Sequence, residues 1–211
     1  MEEVILTSAY LGPVQYYSKL YGASRIFEER CDHYVKQTYR NRCVIAGANG
    51  PLALTLPIEH GDCLKPLTRD IRLSEHGNWR HLHWNALVSA YDKSPFFEYY
   101  ADDLRPFYEK RYDYLVDFNE GLRKTICDLL DLHPVVVPTT SYMDAAQVKG
   151  PDFRETIRPK VDFSTDATFC ARPYYQVFAE KHGFLPNLSI LDLLFNEGPM
   201  TRMVLRDSIV R

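Results

Sequence analysis

Residues 4–29 set two apolar runs on either side of a short amphipathic stretch, and few folds accept that order. Val4-Ile5-Leu6-Thr7-Ser8-Ala9-Tyr10 reads as a first strand, apolar and β-branched. Gly12-Pro13 breaks it. Pro13 has no N–H to lose and suits the first turn of a helix. Val14, Tyr17, Leu20 and Tyr21 recur at helical spacing and give that helix an apolar stripe. Gly22 stops it, and Arg25-Ile26-Phe27-Glu28-Glu29 is the expected second strand. Two strands joined through a helix run parallel, because the crossover carries the chain back to its starting end. The expectation is an α/β fold, one domain over residues 1–211, opening on a Rossmann-like βαβ unit with a partly parallel sheet.

The rest of the chain adds an inserted hairpin and a large helical portion. Arg42–Ala46 and Leu52–Leu56 flank Asn49-Gly50, a strong hairpin signal. From Ser74 onward Trp79, Leu82, His83, Ala86, Leu87, Ala90 and Tyr91 share one helical face. A short helix is expected from Pro95, continuing over Arg105–Tyr114. Leu115, Phe118, Leu122, Ile126, Leu129 and Leu130 mark an amphipathic helix ended by Pro134. Val135-Val136-Val137 reads as a buried strand. Residues 144–172 are polar and irregular, the pattern of a lid or a disordered loop. Helices are expected over Tyr174–His182, before Gly183, and from Asn187 to Phe195, before Gly198-Pro199.

Composition narrows the function classes. At 211 residues the chain can bury a core without disulfides. Its net charge of −3 argues against broad nucleic-acid binding, which needs a basic surface to displace counterions. The five cysteines are odd in number and form no Cys-x-x-Cys pair, so a reducing, cytoplasmic setting is expected. No apolar run follows Met1-Glu2-Glu3, so no signal peptide is expected, and no stretch is long enough for a membrane span.

The densest polar segment is Lys36-Gln37-Thr38-Tyr39-Arg40-Asn41-Arg42. Guanidinium forks and a lysine point charge suit phosphate or carboxylate recognition, and a solvated charged loop is the plainer alternative. Between His76 and Asn85 lie three histidines. His81 and His83 are two apart, which on a helix separates their faces and argues against a metal site. His83 falls on the apolar face as a core histidine. His76, just before the helix, is the candidate general acid or base. Aromatics crowd Phe96–Phe118 and read mainly as core, with some free to line a groove for a planar or sugar ligand. Nucleophile signals are weak: there is no Gly-x-Ser-x-Gly or Walker loop, and Cys31 has only sequence proximity to His33. Thr140 and Ser141 follow an expected strand, where α/β sheets gather ligands.

Several segments together resemble the WbqC-like proteins. They are Tyr10-Leu11-Gly12-Pro13-Val14-Gln15-Tyr16-Tyr17-Ser18-Lys19-Leu20, then Lys36-x-x-Tyr39-x-Asn41-Arg42 and the hairpin ending Leu56-Pro57-Ile58. Trp79, Tyr91-x-x-Ser94-Pro95-Phe96 and Leu188–Asn196 complete the resemblance. It implies a connection with bacterial surface-polysaccharide (O-antigen) gene clusters and no defined activity. Many members carry a His-Gln-Pro triplet where this chain has Leu6-Thr7-Ser8. The opening unit also looks like that of Rossmann-like nucleotidyltransferases, with Gln15, Tyr16 and Tyr17 where those enzymes hold phosphates with histidines. Two readings follow. One is a transferase of nucleotidyl, acyl or glycosyl type acting on a nucleotide-linked or other anionic precursor such as a sugar nucleotide. In it Lys36, Arg40 and Arg42 bind the anion, Tyr10, Tyr16, Tyr39 and Trp79 shape the site, and Asn41, Thr140 and Ser141 orient polar groups. His76 moves the proton. The other is a non-catalytic binding or assembly protein in cell-envelope biogenesis. No cofactor or metal is assigned, and a homo-oligomer is compatible with either reading.

Overall fold

The computed structural model describes residues 2–59 and 63–210. β1 (Glu3–Thr7), α1 (Val14–Gly22) and β2 (Arg25–Glu29) form the expected βαβ unit, with Glu3 opposite Arg25 and Thr7 opposite Glu29. β1 ends three residues earlier than its apolar run. The chain turns at Ser8–Gly12, where the Tyr10 N–H donates to the Tyr39 carbonyl at 2.8 Å and Leu11 takes φ +44°. That conformation is uncommon for a residue with a side chain.

β3 (Arg42–Gly47) and β4 (Gly50–Thr55) make a separate antiparallel hairpin. Its turn is Ala48-Asn49, one residue earlier than the Asn-Gly reading. Gly50 follows at φ +105°, the conformation a glycine supplies just after such a turn. α2 (Trp79–Tyr91), α3 (Phe97–Glu109) and α4 (Leu115–Leu129) come next. α2 buries Trp79, His83, Leu87, Ala90 and Tyr91 as expected, but Leu82 faces solvent at 59% exposure. α3 continues through Pro106 and stops at Glu109, so residues 110–114 are a break rather than helix. The crowded aromatics do build core. Phe118 has the rings of Tyr10, Trp79, Phe107, Tyr108 and Tyr112 between 5.1 and 6.4 Å from its own, mostly edge to face.

β5 (Val136–Pro138) joins β2 in parallel, giving the order β1-β2-β5. The expected buried strand is thus an edge strand, with Val135 and Val137 54% and 39% exposed. Pro134 and Pro138 bracket it, and proline is tolerated where one side of a strand needs no partner. The segment 144–172 is packed chain, not an open lid. It runs beside β1, with Ile5 N–H donating to Pro151 O at 3.2 Å and Phe153 N–H to Ile5 O at 3.0 Å. A Cβ at Gly150 would sit 1.8 Å from the Glu3 carbonyl oxygen, so only glycine permits this approach. The buried Lys19–Asp166 pair, 2.6 Å apart, ties the same segment to α1.

α5 covers only Ala179–His182 of the longer stretch expected to be helical. α6 (Ile190–Glu197) starts at Ser189, whose Oγ accepts from Leu191 N–H. α7 (Thr201–Asp207) was not expected. Pro199, read as a terminator, instead lies in the first turn leading into it. Among the described residues no helix is long and apolar enough to cross a membrane.

Candidate functional site

The carboxyl ends of β1, β2 and β5 point the same way, and the buried charges Glu28, Glu29, Arg40, Arg123 and Arg154 collect there. Successive side chains of a strand leave opposite faces, so Glu28 and Glu29 enter different surroundings. Glu28 faces α4: Arg30 Nε reaches its Oε1 at 2.6 Å and Arg123 Nε its Oε2 at 3.4 Å. Arg30 continues to Glu120 at 2.8 Å, which also holds Lys124 at 2.6 Å. Burial pushes the Glu120 carboxyl up, but these hydrogen bonds outweigh it and hold it at about 2.

Glu29, fully buried, faces the connection after β5. It accepts from Cys31 N–H at 2.7 Å, Thr139 Oγ at 2.8 Å, Met143 N–H at 2.8 Å and Arg154 Nη1 at 3.2 Å. Arg154 in turn holds Asp152 at 2.7 Å. Beyond β2, Cys31 Sγ donates to Thr139 O and accepts from Arg69 Nη1, both at 3.5 Å. Arg69 also donates to Thr140 O at 3.4 Å.

The Lys36–Arg42 run crosses the end of β1 and meets this cluster. The Tyr39 carbonyl holds Tyr10 N–H, and Asn119 Nδ2 bridges Arg40 O at 2.8 Å and Ser8 Oγ at 3.0 Å. Arg40 is 1% exposed and paired with Asp32, whose other oxygen accepts from Thr68 Oγ at 2.5 Å. Arg40 Nε, Asn41 Oδ1 and Asn119 Oδ1 are buried without a hydrogen-bond partner among the described residues. Asn41 Nδ2 donates to Leu56 O at 3.0 Å. Burial pushes the Tyr39 phenol up to about 12. Lys36 is exposed, and half-buried Arg42 donates from Nε to Thr55 Oγ at 3.1 Å.

The other expected site residues divide between this end of the sheet, the core and a separate cleft. Tyr10 is fully buried, its hydroxyl between His83 Nδ1 at 2.9 Å and Tyr108 Oη at 3.0 Å. His83 is the core histidine its face implied, and burial lowers it to about 4. Tyr16 is buried and donates to Thr7 O. Trp79 is buried and donates its indole N–H to Ser74 O. Thr140 and Ser141 are exposed at the end of β5. His76 is exposed in a cleft walled by Leu56–Glu59 and Ser74, joined to the Lys36–Arg42 run through the Leu56 N–H to Asn41 O hydrogen bond at 2.8 Å.

The amino end of α1, where Rossmann-like enzymes hold phosphate, is occupied by the chain itself. Val14 N–H donates to Leu188 O and Gln15 N–H to Asn187 Oδ1, both at 2.9 Å. Gln15 Nε2 is bound to Asp166 Oδ2 at 3.0 Å. The Rossmann-like phosphate arrangement is therefore absent from the described residues at this end. Sequence reading missed Glu28, Glu29, Asp32, Arg69, Arg123 and Arg154. The paired acids at the end of β2 were the one visible signal, since a half-buried strand rarely ends on two carboxylates without partners.

Comparison with known proteins agrees with the resemblance seen in the sequence. The Uncharacterized protein Rv1507c of Mycobacterium tuberculosis (strain ATCC 25618 / H37Rv) is 28% identical over 186 residues, covering 78% of this chain and 80% of that protein. No solved structure matches. The WbqC-like protein family matches residues 8–158, from just after β1 into the segment packed beside it. With most of its length matched, this chain belongs to the WbqC-like protein family.

Proposed function

We propose that this chain is a single-domain, cytoplasmic group transferase acting on an anionic, nucleotide-linked precursor of bacterial surface polysaccharide. The observation that carries the reading is the course of Lys36–Arg42 across the carboxyl end of the parallel sheet, the end at which open α/β sheets gather ligands. Lys36 and Arg42 meet the anion first, with Arg69 beside Thr140 and Ser141 at the neighbouring strand end. Arg40 Nε and Asn119 Oδ1 supply one donor and one acceptor that the protein leaves unpaired. His76 is the proton-moving group, and fixed positive charge is the main stabilisation of the transition state. The transferred group is of nucleotidyl, acyl or glycosyl type.

Calorimetry against a panel of sugar nucleotides, followed by turnover assays on those that bind, tests the reading. Arg42→Ala is expected to keep the fold, since its side chain is half-buried and, among the described residues, makes one hydrogen bond, to Thr55 Oγ. Combined with Lys36→Ala it is expected to weaken binding at least tenfold. A folded protein that neither binds nor converts any of the panel sinks the proposal.

One observation favours the non-catalytic reading, a binding or assembly role in cell-envelope biogenesis. Ser8 stands in the segment where many family members carry the His-Gln-Pro triplet, and its hydroxyl is buried against Asn119. Native mass spectrometry separates the two readings. A retained nucleotide supports the transferase, and a retained protein partner without one supports assembly.

A further inference from the structure

Away from the sheet ends, both of the chain's tryptophans line one groove of about 310 Å³ beside α2 and α3. Trp79 and Tyr108 lie buried in its floor, edge to face at 6.5 Å. Their polar atoms are engaged, the indole N–H with Ser74 O and the phenol with Tyr10 Oη. Trp84 is half-buried, packed against Phe97 and Tyr108, and is the more exposed of the two tryptophans in the lining.

The rim is charged but balanced. Arg80 pairs with both oxygens of Glu75, at 2.5 and 2.8 Å, and lies over the Trp79 ring at 4.7 Å. Arg105 pairs with Glu109 at 2.7 Å. The lining holds two arginines and two glutamates, and Glu75 also lies 3.7 Å from Arg111, itself beside Asp113, so the rim carries little surplus positive charge for a phosphate. It does set guanidinium donors beside carboxylate acceptors. A hydroxyl both donates and accepts, so adjacent hydroxyls on a ring can use both halves of such a pair. An aromatic face beside polar tips suits a ligand with one apolar and one polar side. A pyranose has that form: C–H groups on one face and hydroxyls around its edge.

We propose that this groove binds a neutral saccharide, its ring on Trp84 and its hydroxyls on the Arg105–Glu109 and Arg80–Glu75 pairs. The site is separate from the strand ends, and the proposal does not depend on the transferase reading. Because both tryptophans line the groove, intrinsic emission reports on it directly. The purified full chain is titrated with glucose, galactose and N-acetylglucosamine, with glucose 1-phosphate and adenosine as comparators.

A saturable emission change is expected with at least one neutral sugar, and adding the phosphate is not expected to tighten it. Trp84→Ala is expected to abolish binding, and Arg105→Ala to weaken it about tenfold. Arg105 is more than half exposed, so this variant remains decisive if Trp84→Ala does not fold. The proposal is overturned by any one of three results. These are no saturable change with any sugar, confirmed by saturation-transfer NMR; tighter binding of adenosine or glucose 1-phosphate than of every neutral sugar; or sugar affinity unchanged in Arg105→Ala.

Discussion

Replacing Glu29 with glutamine keeps the size of the side chain and changes only what its two terminal atoms can accept. In the native protein Oε1 takes Cys31 N–H and the Thr139 hydroxyl, and Oε2 takes Met143 N–H and Arg154 Nη1. An amide nitrogen accepts nothing. Whichever way the amide turns, two donors face N–H groups, and at least one of them is a backbone N–H that cannot rotate away. Hydrogen bonds to a charged group are worth about 1.5–3 kcal/mol each, so two of them amount to about 3–6 kcal/mol. Removing one partner of a buried ion pair costs about 3–5 kcal/mol by a separate line of evidence. The two estimates overlap near about 4 kcal/mol. For a chain of this length, about 2–4 °C per kcal/mol converts that to about 8–16 °C in Tm. Urea and thermal unfolding at pH 7 measure the loss, and hydrogen exchange localises it, with the amides of Cys31 and Met143 exchanging faster. Arg25→Ala is the control. Its ion pair with Glu3 is largely exposed and is worth less than about 1 kcal/mol. A loss in Glu29→Gln no larger than the control's refutes the idea that Glu29 fastens the 139–154 segment to the sheet.

Gly150→Ala places a Cβ 1.8 Å from a backbone oxygen that cannot swing aside, so a loss of about 1–3 kcal/mol or more is expected in urea unfolding, with faster exchange at Ile5. His83 gives the fold an acid limb. Its folded value of about 4 lies below the unfolded value of about 6.5, so the unfolded chain binds the extra proton between them. Stability is therefore retained above about 6.5 and falls by about 3 kcal/mol as the pH drops to about 4, and His83→Gln is expected to flatten that limb of the urea midpoint against pH. Lys19→Met leaves the buried Asp166 carboxylate without its cation and is expected to cost about 3–5 kcal/mol, part of which the double variant Lys19→Met with Asp166→Asn recovers in thermal unfolding, because the amide oxygen still accepts from Thr168 N–H. A double variant as unstable as the single one would show that the stranded charge is not the cause.

The elements readable from sequence are those fixed by local periodicity. The βαβ opening, the hairpin and α4 each carry a full apolar period between turn residues. β5 was misplaced because three valines have the same composition at the centre of a sheet or at its edge. The informative residues were the flanking Pro134 and Pro138 rather than the valines themselves. Gly150 gave no signal at all, since its reason lies in the Glu3 carbonyl on a distant strand. Leu82 carried the right spacing and still faces solvent, because α2 buries a narrower stripe than its apolar residues could fill. In the site, charge density located the Lys36–Arg42 run, but nothing in the run indicated that Asp32 would take Arg40 out of solvent. Glu29 and Arg154 stand 125 positions apart, a pairing that only the tertiary fold creates.

That pairing pattern bears on how an anion would be received. The amino end of α1 is filled by Asn187 and Leu188, so the helix dipole there is already answered by protein groups. In the proposed reading an anion arriving at the sheet ends meets instead an outer set of cations, Lys36, Arg42 and Arg69, and an inner one, Arg40, already held by Asp32. The outer set acts through water and weakens as salt shortens the Debye length to about 8 Å at physiological ionic strength. The inner one is screened far less, but a ligand reaches it only by competing with Asp32 or by using the unpaired Arg40 Nε. Asp32→Asn leaves a hydrogen-bonding group in place while removing the competing charge. In the proposed reading it tightens anion binding, whereas Lys36→Ala weakens it with a reduced salt slope. Opposite shifts from these two variants distinguish an anion site with an internal competitor from a charge network that serves the fold alone.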